Sequence, residues 1–186
     1  MNRFFVFVVL FCLMVVSPVV FSANSAQDLF QQRVGQIQWK NLSIEFRSIS
    51  DKASRGAQAM VVQSPDQENG KTYYADKKVI LGLKDISNID TTYNPNDQSM
   101  LRLILTFNKD GKATLAEHTT KHLGEMMGVV IDGKLRLVAH IRQPLMNGRV
   151  QVYGFIPNEA VNVLQRYYQP RLELARQIGE ELNGKK

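Results

Sequence analysis

Apolar and polar positions follow two rhythms in the second half of the chain. Leu101, Leu103, Leu105 and Phe107 alternate with Arg102, Ile104, Thr106 and Asn108. Period two predicts a strand, buried on one face and partly on the other. Asp110-Gly111 then opens a stretch of period 3.6 over 112–123, with Leu115, Ala116, Thr119 and Leu123 inward and Gly124 as a stop. Val129-Val130-Ile131 and Leu135-Arg136-Leu137-Val138 flank Asp132-Gly133. Asp-Gly tolerates the positive backbone angles of a tight turn, so this is a hairpin. Asn147-Gly148 turns the chain into a strand over 149–155. Pro157-Asn158-Glu159 starts a helix with Val161, Leu164 and Tyr168 on one side. Pro170 breaks that helix or begins a second one through Leu182, with Leu174 and Ile178 inward.

The first half is less regular. Residues 25–28 cap a short helix running to Val34, and Leu42, Ile44, Phe46 and Ile49 mark a strand with one wet face. Residues 51–58 read as loop, 59–62 as a short strand and 64–71 as a turn around Asn69-Gly70. Residues 72–74 and 79–81 are short strand candidates. Residues 85–99, rich in Asn, Asp, Thr and Pro, read as a connecting loop. The expected class is α+β, a mostly antiparallel sheet with helices packed on it.

A third pattern stands at the start. Residues 4–16 are unbroken apolar, preceded by Arg3 and followed by Pro18 and the small residues Ser22, Ala23, Ser25 and Ala26. That order is a secretory signal peptide, expected over 1–26, with Ala23 and Ala26 both open as cleavage points. An uncleaved inner-membrane anchor is the other reading, because 4–21 approaches spanning length. Phe11 before Cys12 argues against lipidation, which needs a small residue there. The remainder divides into 27–99 and 100–186, within one compact domain overall. The expected compartment is the periplasm. The expected mature chain has no cysteine, no disulfide, no thiol nucleophile and no membrane span.

The formal charge of +6 comes from scattered Lys and Arg. Outside the cytoplasm nucleic acid is not an expected partner. Ordinary surface charge, or a mild preference for anionic head groups or acidic chains, fits better.

The ordered set in 101–164 resembles the head subdomain of the large periplasmic domain of SecD. Gly111, Leu115, Thr119 and Gly124 have the spacing of that family's strand-to-helix segment. Residues 129–133 look like its apolar-Asp-Gly hairpin, and Leu135 with Val138-Ala139 fits the returning strand. Gly148, Val152, Gly154 and Ile156 are similar to its glycine-punctuated strand, and Glu159-Ala160 with Leu164 to the next helix. Residues 42–47 and 79–86 also look like segments preceding the head. His140 stands where the family usually has Pro, and Pro157 where it usually has Ser or Thr. The resemblance implies a role beside the translocase, holding exported or unfolded polypeptide. It does not carry over proton-driven translocation, which belongs to transmembrane helices.

Few residues invite chemistry. His118 and His122 share a helical face at a spacing that suits two metal ligands. Thr119 and Thr120 fill the positions between them, so the general-base Glu of the zinc-protease pattern is missing, and His140 lies on another element. They read as solvated helix histidines, with no metal and no cofactor expected. Glu117 with Glu125, or Asp110 with Asp132, are conceivable acid-base pairs, but the two Asp residues are explained by their turns. No nucleophile elbow, Walker loop or dinucleotide loop occurs. The expectation is therefore not an enzyme. Met126, Met127, Leu145 and Met146 are the candidate polypeptide-binding residues, because flexible thioethers suit a surface that accepts varied apolar segments. The same methionines fill core gaps equally well. The paired Tyr73-Tyr74 and Tyr167-Tyr168 are expected to place one ring in the core and one on the surface. The alternatives are a structural adaptor for one fixed envelope or translocase partner and, more remotely, a small hydrolase or metal-binding protein.

Overall fold

The computed structural model describes residues 23–37, 39, 41–63, 70–94 and 97–184. Residues 1–22 of the expected signal segment and most of the 64–71 turn lie outside them, while residues 23–26 begin the first helix. The chain forms α1 (Ala23–Val34), β1 (Ile44–Ser50), β2 (Gln58–Val61), β3 (Thr72–Gly82), a 3-10 turn (Leu83–Asp85), β4 (Ile86–Asn94), β5 (Asp97–Phe107), α2 (Lys109–Lys121), β6 (Met126–Ile131), β7 (Lys134–His140), β8 (Arg149–Phe155) and α3 (Pro157–Gly184). The α+β expectation holds, with all strand pairs of the two sheets antiparallel.

The first sheet has the order β2-β3-β1-β6-β7. Its two outer strands also touch, through a parallel bridge between Val62 and Leu135, where Gln63 N donates to the Leu135 carbonyl at 2.8 Å. Five strands alternating in direction can close only with one parallel contact, so the sheet curls into a small barrel. Ile49, Met60, Val62, Ala75, Val130, Leu135 and Val138 fill it. Closure of this kind hides sheet edges. Gly128 makes the filling fit: a methyl there would stand 2.6 Å from Ile49 Cγ1 and 2.9 Å from Leu135 Cδ1.

The second sheet has the order β4-β5-β8. Its Ile89, Leu103, Leu105, Val152 and Phe155 meet the outer face of the barrel, Ile44, Phe46, Leu81, Val129 and Ile131, in the main core. Leu115 of α2 and Ala160, Val163 and Tyr167 of α3 complete it. Strand β6 is therefore buried on both faces, which explains its unbroken apolar run. Both halves of the sequence share each sheet, since β1 pairs with β6 and β4 with β5.

Several expectations are corrected. Residues 85–99 are not a connecting loop but mostly the hairpin β4–β5. Ile86, Ile89 and Asn94 bury their side chains, while Ser87, Asp90 and Tyr93 face water on an edge strand. Residues 72–74 and 79–81 are one long strand, β3. Helix α2 starts three residues early. Its N-cap is Asn108, whose Oδ1 accepts from Gly111 N at 2.8 Å, so Asp110 is not the turn residue. Gly111 lies inside the helix because Asp85 O would be only 2.6 Å from a methyl there.

Pro170 neither ends nor starts a helix, because α3 runs through it. Side chains on both sides of the proline are pinned to one strand. Tyr167 and Arg171 both donate to the Ile86 carbonyl at 3.0 Å, and Tyr168 donates to that of Ile89 at 2.9 Å. Helix α1 packs along α3, with Arg33 bonded to Glu181 at 2.8 Å.

The Asp-Gly hairpin is as expected, with Asp132 at φ 49 and Gly133 at φ 75. Asp132 does more than turn the chain. Its Oδ1 accepts from Ser43 N at 3.1 Å, and its Oδ2 pairs with Arg166 at 2.7 Å, tying the hairpin to β1 and α3.

Candidate functional site

The four candidate contact residues do not form one patch. Met126 and Met127 open β6, so alternation sends them to opposite faces. Met127 is buried, 6% exposed, in the main core, and half-buried Met126 packs against the barrel filling. Leu145 and Met146 do lie in the β7–β8 loop. Leu145 is half-buried against the main core, while Met146 is 63% exposed.

This loop is fastened to α2. Thr119, fully buried, donates its hydroxyl to the Leu115 carbonyl at 2.8 Å and accepts from Leu145 N at 2.9 Å. Further along, Gly148 is packed so closely under Lys112 that a methyl would stand 2.8 Å from its Cγ. Gly148 O accepts from Phe107 N at 2.9 Å. At the other end Gly124 N donates to Ile141 O, and Ile141 N to Glu125 O, at 2.9 and 2.8 Å. The loop is thus held at 141, 145 and 148, with Met146 standing out between two anchors. Leu123, two residues past the end of α2, is 52% exposed.

His118 and His122 do share a face. Their rings stack with centroids 4.2 Å apart, and His122 Nδ1 lies 3.0 Å from Glu125 Oε2. Burial, then the neighbouring His122, pushes the His118 pKa below its usual value, and Lys78 adds to the effect against the pull of Glu125. Among the described residues no three His, Cys, Asp or Glu side chains are placed to hold a metal ion. His140 is exposed at the end of β7, opposite Met126.

Two open grooves flank α3. One, about 360 Å³, lies between the Asp-Gly hairpin and the start of α3 and includes Lys134, Arg136, Phe155 and Val163. Four of its charged groups are paired with each other: Arg166 with Asp132 at 2.7 Å and Arg136 with Glu159 at 3.2 Å. Arg136 is buried; it also donates to Gly154 O at 2.7 Å and lies over the Phe155 ring at 4.4 Å. The other groove, about 240 Å³, lies beside Trp39, Leu42 and Pro170. There Trp39 stacks on Tyr167 with centroids 5.3 Å apart, and Arg171 lies over the Tyr167 ring at 4.0 Å. The sequence reading missed Trp39, Arg136 and Arg171. A lone Trp was the only signal available, since the contacts of all three are distant in sequence. Tyr167 is buried and Tyr168 half-buried, whereas Tyr73 and Tyr74 are both half-buried.

A closed five-stranded barrel sharing one core with a three-stranded sheet and two helices defines a small antiparallel α+β domain. The chain belongs to the family "SecDF, P1 head subdomain", whose profile matches residues 59–166. Curated relatives are protein translocase subunits SecD. That of Rickettsia conorii (strain ATCC VR-613 / Malish 7) is 26% identical over 107 residues, covering 57% of this chain and 20% of the relative. That of Rickettsia bellii (strain RML369-C) is 30% identical over 88 residues, covering 47% and 17%. The chain thus spans a fifth or less of these relatives' length. Among solved structures, SecDF, a membrane component that enhances protein export, aligns with a TM-score of 0.52 at 16% identity, over 82% of this chain and 71% of that one. SecDF in its super-membrane-facing form aligns with a TM-score of 0.50 at 17% identity, over 76% and 20%. These two likenesses concern the fold. Among the described residues no helix is long and apolar enough to cross a membrane.

Proposed function

We propose that this chain is a periplasmic, non-enzymatic module of protein export that transiently holds exported or unfolded polypeptide. The observation that carries this reading is the β7–β8 loop, which presents Met146 to solvent between fixed anchors at Leu145 and Gly148. An unbranched thioether adapts to many apolar partners, and a fixed base lowers the ordering cost of each contact. The contact surface is Met146, with half-buried Leu145 next to it in the loop; Met126 and Met127 lie on β6, outside this loop. Membership of the SecDF head family favours a place beside the translocase.

The test is photo-crosslinking in cells from position 146 of the full chain. The expected result is a ladder of adducts with many exported polypeptides, reduced when secretion is blocked. One dominant adduct would mark an adaptor for a fixed partner, and no adduct would overturn the reading.

A further inference from the structure

The Met146 loop borders a flank of α2 whose charges have one sign. Lys109 and Lys112, three apart, share that flank, because residues i and i+3 are neighbours on a helix. The stem of Lys112 lies on Gly148, two residues from Met146. Arg142 and Arg149 lie at the two ends of the same loop, both exposed. The exposed apolar tip beside these cations is Met146.

The carboxylates of α2 lie elsewhere. Asp110 and Glu117, seven apart, sit about a third of a turn round the helix. Glu117 is held by Lys121 at 2.6 Å, and Glu125, past the helix end, by His122 at 3.0 Å. Among the described residues none of Lys109, Lys112, Arg142 and Arg149 has a carboxylate within ion-pair distance.

We infer that this flank selects polypeptide segments in which Asp or Glu residues stand beside a large apolar side chain. The inference rests on the polypeptide-holding reading and names the class of segment held. The apolar residue would contact Met146, while the carboxylates would meet the four cations. Each exposed charge pair contributes little alone, so discrimination comes from several acting together. A flat anionic lipid surface offers the same charge but no choice among segments, and it is treated as the rival.

The experiment uses the full chain and fluorescent, unstructured peptides of one length. One carries Glu and Asp around Leu and Phe; its twin carries Gln and Asn instead. Anisotropy at about 20 mM salt should show the acidic peptide binding roughly tenfold tighter, with the preference nearly gone at about 0.5 M, where the screening length is a few ångströms. Lys109→Glu with Lys112→Glu should abolish the preference and leave the amide twin unchanged. Arg142→Glu with Arg149→Glu should do the same, which guards against a misfolded first variant. Met146→Ser should weaken both peptides alike. Equal binding of the two peptides overturns the inference and leaves the holding reading intact. Binding of neither peptide overturns both, and co-sedimentation with phosphatidylglycerol vesicles would then assign the flank to lipid.

Discussion

Tyr167 and Arg171 hold the same atom: hydroxyl and guanidinium each donate to the carbonyl oxygen of Ile86 at 3.0 Å, with the guanidinium 4.0 Å above the Tyr167 ring. Trp39 stacks on that ring from the segment before β1, and Tyr168 meets it edge-on with centroids 5.0 Å apart. The cluster joins α3 to the outer edge of β4 and carries the helix past Pro170. Tyr167→Phe removes one of two donors to Ile86 and should cost about 1 kcal/mol, whereas Tyr167→Ala should cost about 3–5 kcal/mol through the cavity it leaves. Urea unfolding of the two variants checks the ranking.

Gly111→Ala reverses the usual expectation for helices. Ala is the better helix former by about 1 kcal/mol, but its methyl would meet the backbone oxygen of Asp85 at 2.6 Å. The 3-10 turn that carries Asp85 is itself held by Asn108 N donating to Asp85 O at 2.9 Å. Destabilisation of about 1–3 kcal/mol is expected. Gly128→Ala should behave alike, by crowding Ile49 and Leu135 inside the barrel. A rise in melting temperature for Gly111→Ala would contradict the close packing of α2 on the turn.

Thr119→Val keeps the shape of a buried side chain and removes the acceptor for Leu145 N. An unsatisfied, partly buried N–H should cost about 1–3 kcal/mol. The more telling readout is local. Amide exchange should accelerate at Leu145 while that of the barrel strands keeps pace only with the global change.

Acid should destabilise the domain through His118. Its folded pKa lies below the ordinary 6.5, chiefly from burial and then from His122, so the unfolded chain takes up the proton more readily. The stabilising contribution is full above pH 6.5 and is lost as pH falls through the lower folded value. The urea midpoint should therefore drop between neutral and mildly acidic pH. His118→Gln should flatten that drop, and an unchanged profile would show that the stacked pair tolerates the charge.

Arg136 is the cation on which the two sheets converge, reaching from β7 to Gly154 O on β8 and to Glu159 on α3. Arg136→Met should cost about 2–3 kcal/mol, because it strands a buried carbonyl that now receives a charged donor. Arg136→Lys should recover only part of it, since an ammonium cannot lie flat on Phe155 while reaching both acceptors. Denaturant midpoints of both variants test this order.

The sequence by itself determined the elements whose two faces differ sharply. The alternation of Leu103, Leu105 and Phe107 with Arg102 and Thr106 announced β5, and Asp132-Gly133 announced the β6–β7 hairpin, because both signals are local steric and solvation rules. The loop position of Leu145 and Met146 was legible for the same reason. What only the tertiary structure decided was how far elements with weak contrast are buried, and by what. The polar residues of β4 gave no period, since an edge strand with a wet side needs few apolar positions. Met126 and Met127 look alike in sequence, yet pairing of β6 between β1 and β7 sends one to the barrel and the other to the main core. Pro170 carries a local instruction to stop, and contacts from Tyr167 and Arg171 to a strand some eighty residues away override it. Local chemistry fixes which backbone shapes are cheap, while side-chain partners distant in sequence decide which surfaces remain in water.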